Sequence, residues 1–291
     1  MQTASAIAAL SDLLEVTSRQ RMLVVTRPME KSMAREVAKW FLDVGDRMLS
    51  EMRSLSGRFD LNAEQMEQSA LPAEESLRES LSFADWSLLV ENALFAMRAP
   101  LTEIIDVRTG SALLKGAQTL LSDFDVGTQI RFTLADPRAV AWAEGRAAAQ
   151  VTRINETTRE RLNTLLTNAV RDGKSWTATA KEIETMFEDF AGPPLFPSKK
   201  FRSRSQAVAA FEIGDSYEAG QWMAAESLAG AGWKMEKKWL NAGDDRVRPA
   251  HRQNARDDWV KMDATFSGDG AERPPTDPGC RCTLLWRRAQ V

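Results

Sequence analysis

The sequence predicts a mainly α N-terminal and middle region followed by a small α+β module at the C-terminus. Three observations carry this. Apolar residues recur at helical spacing as far as Gly232. Beyond it, the β-compatible runs are short: KMEKKWL (234–240), DDWVKMD (257–263) and CRCTLLW (280–286), separated by Gly/Asp/Pro-rich loops. Finally, Trp222, Trp233, Trp239, Trp259 and Trp286 crowd into that end of the chain, and a small module needs large apolar groups to close a core. The expected divisions are a helical N-terminal region over 1–134, a helical middle segment over 135–232 and the module over 233–291.

Taken in order, Pro28 reads as a start signal for a helix over 30–52 with Met33, Val37, Trp40 and Phe41 on one face. Residues 53–75 are polar, carry few large apolar side chains, and read as an exposed loop or mobile segment. A helical stretch over 83–105 is expected to break at Ala99–Pro100, because proline lacks a donor and clashes with the preceding turn. Asp136–Pro137 is an N-cap followed by proline at the first helical position. Thr157 and Glu160 stand in capping-box spacing for a further helix, with Leu162, Leu165, Leu166 and Ala169 as its stripe and Gly173 as its stop. KSWTATAKEIETMFEDF repeats that design with Trp176, Ala180, Ile183, Phe187 and Phe190 on one face. After a break at AGPPLFPSKK, one more long helix runs to the glycines before Trp233.

Composition narrows the class. A chain of 291 residues suffices for one large domain or two ordinary ones, and 43% hydrophobic with 27% charged residues is a globular rather than a disordered balance. A net charge of −3 argues against a generally basic nucleic-acid coat, while leaving room for a local patch. No segment reaches the ~18 apolar residues needed to span a bilayer, so no membrane partner is expected. The start lacks a basic stretch and places Asp12 and Glu15 where a signal peptide stays apolar, which points to a cytoplasmic start.

The chemistry-bearing residues gather near the end. Cys280 and Cys282 are the only cysteines and His251 is the only histidine. A Cys-x-Cys pair makes a poor disulfide, so a reduced compartment is expected. Two thiolates at i, i+2 on a strand share a face and could both reach one tetrahedral zinc, with His251 as third ligand and Asp244 as fourth. On the other reading the cysteines pack as small apolar groups and His251 hydrogen-bonds within a loop. The site is structural in either case, and convergence of the three side chains is expected. Asp244, Asp245 and His251 also raise a hydrolytic metal site, and with it a metal-dependent nuclease as the alternative function. Against it, GDD is more often a tight turn, and no nucleophile motif, P-loop or glycine-rich cofactor turn is present. Lys199, Lys200, Arg202 and Arg204 form a basic run that could neutralise phosphates without reading sequence; a solvated face or a contact with an acidic partner explains it equally.

In this order and spacing, the elements from about 135 to 288 resemble the phage head morphogenesis family, also called Mu F-like minor head proteins. INETTRERLNTLLTNAVRDGKSWTATAKEIETMF resembles the family's paired helices, and AAFEIGDSYEAG its next helix, with Glu212 at a usually acidic position. KKWLNAGDDRVRPAH resembles its lysine–tryptophan strand, Asp-x-Arg-x-Arg loop and His position, followed by a proline-rich loop into CRC and a terminal apolar strand. Two departures are a missing Gly beyond the His position and an RTE-like stretch reduced to FE. The resemblance implies a minor head component, few copies per particle, bound to the portal inside the capsid and assisting head assembly or DNA delivery. Its partners would be the portal protein, the major capsid or scaffold protein, and DNA; it would pass from the host cytoplasm into the virion. Some family chains carry a toxin or enzyme domain after CRC; the nine residues after Cys282 leave no room for one here. Glu212, Asp244, Arg246, Arg248, His251, Cys280 and Cys282 form the expected structural cluster, with Arg248 tying Asp244 by bidentate hydrogen bonds.

Overall fold

The computed structural model describes residues 2–66, 83–124, 130–172, 174, 176–192 and 203–289. Among them the order is α1 (Gln2–Met66), α2 (Phe83–Ala96), α3 (Arg98–Asp123), α4 (Pro137–Arg171), α5 (Trp176–Ala191), α6 (Arg204–Gly230), β1 (Met235–Leu240), α7 (Pro249–Asn254), β2 (Val260–Lys261) and β3 (Thr283–Arg288). The mainly helical chain with a small C-terminal sheet is the predicted class. The chain forms two compact units: residues 1–34, 105–145 and 206–291 make unit 1, and residues 35–104 and 146–205 make unit 2. Each unit is built from separated stretches rather than from consecutive blocks.

Several expected boundaries move. Pro28 lies inside α1 instead of starting a helix, and the helix continues as far as Met66, through much of the stretch expected to be loop. Residues 67–82 lie outside the described residues. The break expected at Ala99–Pro100 falls at Met97, where α2 ends and α3 begins. Pro100 is thereby in the first turn of α3, where a missing N–H removes no intrahelical bond. Asp136 does cap α4, its Oδ1 accepting from the Arg138 N–H at 2.9 Å. Thr157 caps nothing: its hydroxyl donates back to the Arg153 carbonyl at 2.9 Å, and α4 runs straight through. Gly173 and the side chain of Trp176 lie outside what is described.

In unit 2, Val37, Trp40, Phe41 and Val44 of α1 are buried, as are Ile183, Phe187 and Phe190 of α5. Phe41 and Phe187 each meet Phe190 edge-on, with centroids 5.2 and 5.8 Å apart. In unit 1, Leu113, Ala117 and Leu120 of α3 pack with Ala219, Met223, Ala224 and Leu228 of α6 and with Met235 of β1. The sheet order is β2-β1-β3, all antiparallel, with β1 central. Met235, Lys237 and Trp239 alternate onto the buried side of β1. The register pairs Trp239 with Leu284 and Leu240 with Thr283, bringing Cys282, the residue before β3, to the end of β1. Trp239, Phe266, Cys282 and Leu284 form a second small core there.

Candidate functional site

The single histidine is placed by a helix that sequence reasoning passed over. Pro249 occupies the first position of α7, and this short helix buries His251 and Asn254 on one side. Asn254 anchors the 266–271 loop: its amide donates to Asp269 Oδ1 at 2.8 Å, and its carbonyl oxygen accepts from the Gly268 N–H at 2.8 Å. Glycine is required at 268, because a Cβ there would lie 2.1 Å from the Ala250 carbonyl oxygen. Asp269, so held, lies 3.5 Å from His251 Nε2, which also makes a 2.9 Å hydrogen bond with Thr276 Oγ1.

The other ring nitrogen faces sulfur. His251 Nδ1 is 3.6 Å from Cys280 Sγ and 3.6 Å from Cys282 Sγ, and the three ligand-capable atoms lie within 4.8 Å of one another. The expected convergence of His251, Cys280 and Cys282 is therefore present. Trp239 closes one side, its ring centroid 5.4 Å from that of the imidazole. His251 and Cys282 are buried and Cys280 is half-buried. The two thiols share a hydrogen bond, which favours the thiolate at Cys280 and raises the pKa of Cys282.

Asp244 does not join them. Among the described residues, the metal-capable group consists of His251, Cys280 and Cys282 alone. Arg281, between the cysteines, turns the other way and grips Asp244 with two parallel bonds of 2.7 Å. Arg246 adds a backbone bond of 3.2 Å and a guanidinium contact of 3.1 Å, and these arginines, Arg281 foremost, hold the Asp244 carboxyl well below the usual carboxylate range. The arginine that binds Asp244 bidentately is thus Arg281, where Arg248 was expected. Arg248 pairs with Asp277 at 2.6 Å and donates to the Pro278 carbonyl at 3.1 Å. Two bound guanidiniums leave Asp244 better satisfied as an ion-pair partner than as a metal ligand. Glu212 is buried on α6, outside the group that faces His251.

Two buried carboxylates reach the module from α6: Asp215, paired with Arg273 at 2.5 Å, and Glu218, which no local pattern marks. For Glu218 the partners are in β3: it accepts from the Thr283 hydroxyl and, at 3.3 Å, from the Leu284 N–H. Burial pushes its pKa up to about 8 against the hydrogen bonds that favour the charged form. Lys237 is likewise buried, its ammonium 4.5 Å from the Trp222 ring centre and donating to the Glu272 carbonyl at 2.8 Å. Its position on the inward side of β1 follows from strand alternation, but its charge concealed it as a core residue.

Residues 160–285 match the family model described as Phage Mu protein F like protein. Over this stretch the chain is Mu F-like. No curated protein and no solved structure matches the chain. The match over this stretch suggests a phage head or morphogenesis protein, and with it association with the virion. The Mu F-like segment begins within α4, takes in α5 and α6, and ends in β3, so the His251–Cys280–Cys282 group belongs to it entirely. Among the described residues, no helix is long and apolar enough to cross a membrane.

Of the basic run in the Mu F-like segment, Lys199, Lys200 and Arg202 lie outside the described residues. Arg204 is turned inward: its guanidinium lies 5.2 Å from the Phe41 ring centre and 4.7 Å from that of Phe190, and donates to the Ile154 carbonyl at 2.9 Å. Burial lowers its pKa to about 10. Arg204→Ala is accordingly expected to cost unit 2 about 2 kcal/mol, the scale of a desolvated cation–π contact. Thermal melts check this, and the salt dependence of any DNA binding should not change.

Proposed function

We infer that this protein is a minor head component that docks on the portal inside the capsid and assists head assembly and the packaging or delivery of DNA, by binding rather than turnover. The observation that carries the reading is the Mu F-like match over 160–285, a segment whose distinctive residues are engaged with one another. The nuclease alternative gains no support: Asp244 is bound by Arg281 and Arg246, and His251 is 3% exposed with its nitrogens directed at sulfur, Thr276 and Asp269. A hydrolytic centre also needs a carboxylate free to hold a metal or activate water, and Asp244 is taken up by two arginines.

Docking is assigned to the N-terminal half. All the exposed large hydrophobic side chains among the described residues lie between Val16 and Val140, and Val24 and Phe95 are 73% and 79% exposed. Such side chains are candidate anchors for a partner surface. Portal assemblies are expected to capture the full chain in co-sedimentation. Val24→Asp and Phe95→Asp should each weaken capture at least ~tenfold, the scale of an interface anchor, without lowering the melting temperature. Absence of capture of the wild-type chain by portal assemblies overturns the reading.

A further inference from the structure

We propose that His251 Nδ1, Cys280 Sγ and Cys282 Sγ are three ligands of one zinc ion, with a water completing the tetrahedron. A tetrahedral centre with Zn–S of ~2.3 Å and Zn–N of ~2.0 Å has an N···S edge of about 3.5 Å. Both N···S separations in the protein are 3.6 Å, and no pair among the three atoms exceeds 4.8 Å. Both N···S edges of a bound ion are thus present, and the S···S separation, at most 4.8 Å, need only close to the ~3.8 Å of a tetrahedral edge.

The imidazole is also oriented as a ligand. Asp269 and Thr276 both face Nε2, at 3.5 and 2.9 Å, and the carboxylate fixes the N–H on that side. The Nδ1 lone pair is then directed at the two sulfurs. A carboxylate behind a histidine is the arrangement that orients histidine ligands and strengthens them as donors. Asp269 is itself held by the Asn254 amide at 2.8 Å and by the Ala271 N–H at 3.1 Å, so the support is rigid. A cation among the three atoms binds both sulfurs and the Nδ1 lone pair at once.

Donor type selects the ion. Two thiolates and an imidazole suit zinc, whereas magnesium and calcium need oxygen, and Asp244 is held by arginines. Binding releases the two thiol protons to solvent, and two thiolates with a neutral imidazole balance the doubly charged ion, so no net charge is added to a buried place. Water takes the fourth position on the side of Cys280, the half-buried ligand.

The test uses the full chain, reduced, with zinc and cobalt(II) as the probes. Elemental analysis after desalting is expected to give one zinc per chain. Cobalt(II) titration should saturate at one equivalent with a thiolate-to-metal charge-transfer band and intense tetrahedral d–d bands. Zinc should protect both cysteines of the wild-type chain from iodoacetamide, a readout that depends on no variant. Cys280→Ser and Cys282→Ser should abolish the charge-transfer band or leave it sharply diminished. Asp269→Asn, at a positioning residue, should lower zinc affinity about 10–100-fold while the cobalt spectrum stays tetrahedral. Sub-stoichiometric metal, a cobalt spectrum without thiolate character, or alkylation unaffected by zinc overturns the proposal. None of these readouts depends on portal binding, so this site and the docking function stand or fall separately.

Discussion

Alanine in place of Gly116 or Gly220 is expected to be the most disruptive small change in unit 1. A Cβ at Gly116 would lie 2.0 Å from the Tyr217 carbonyl oxygen, and one at Gly220 would lie 1.9 Å from that of Leu113. Here α3 and α6 cross backbone against backbone, each glycine receiving a carbonyl of the other helix. A carbonyl inside a helix cannot swing aside as a side chain can, so the helices must separate, taking Leu113 and Tyr217 out of a core where both are 1% exposed. Each substitution should cost about 3 kcal/mol or more, at the upper end for overpacking. For a structure of this size, that lowers the melting temperature by roughly 6–12 °C. The double variant should cost less than the sum, because the first alanine already parts the helices. Gly214→Ala on the same α6 is the control: nothing lies within 4 Å of its Cβ, and loss of a helical glycine should stabilise by about 0.5–1 kcal/mol. Melts of the wild type and the four variants followed by circular dichroism decide the matter; unchanged stability in both crossing variants would refute the close approach.

The second large effect is expected from Glu218. Its pKa is raised from 4.5 to about 8 in the folded protein, chiefly by burial. A folded-state pKa above the unfolded one means that the native protein holds this proton more tightly. The contribution is fully present below about 4.5 and is lost as pH rises through 8. Folding stability measured by urea titration should therefore carry a component that declines by up to a few kcal/mol between these values. Other groups titrate as well: Asp136 and Asp244 are held low by Arg138 and Arg281, and they contribute stability that is lost on acidification. The thiol pair overlaps the upper part of the window. The difference between wild type and Glu218→Gln isolates Glu218. The glutamine can keep partners for Thr283 and Leu284 without a charge, so the variant should gain on the wild type as pH rises from 5 to 8. A pH-independent difference would show that Glu218 is not buried as an acid.

The sequence by itself determined the class of fold, most helices of the Mu F-like segment, the strands, and the meeting of His251 with the two cysteines. The first three depend on short-range rules, and the last was expected from segments that adjoin in the chain. Apolar spacing places Val37, Trp40 and Phe41 on one side of α1, and alternation turns Cys280 and Cys282 the same way while Arg281 turns opposite. Tertiary structure decided what rests on competition among distant groups. The Thr157 cap lost because a capping bond is worth only about 1 kcal/mol, less than the burial a continuous α4 secures for Val151, Ile154 and Leu162. Pro28 inside α1 is the same lesson, a local breaker overridden by the helix on either side of it. Arg248 was expected to hold Asp244, but Arg246, Arg248 and Arg281 are alike in chemistry and only the path of the 276–282 segment brings Arg281 within 2.7 Å. Asp269 and Thr276 were hidden because each supports His251 from a separate stretch of chain, and Asn254, on α7 itself, acts through Asp269. Glu218 was hidden too, one acidic residue among several on α6, until packing removed water from around it and left Thr283 and Leu284 as its partners.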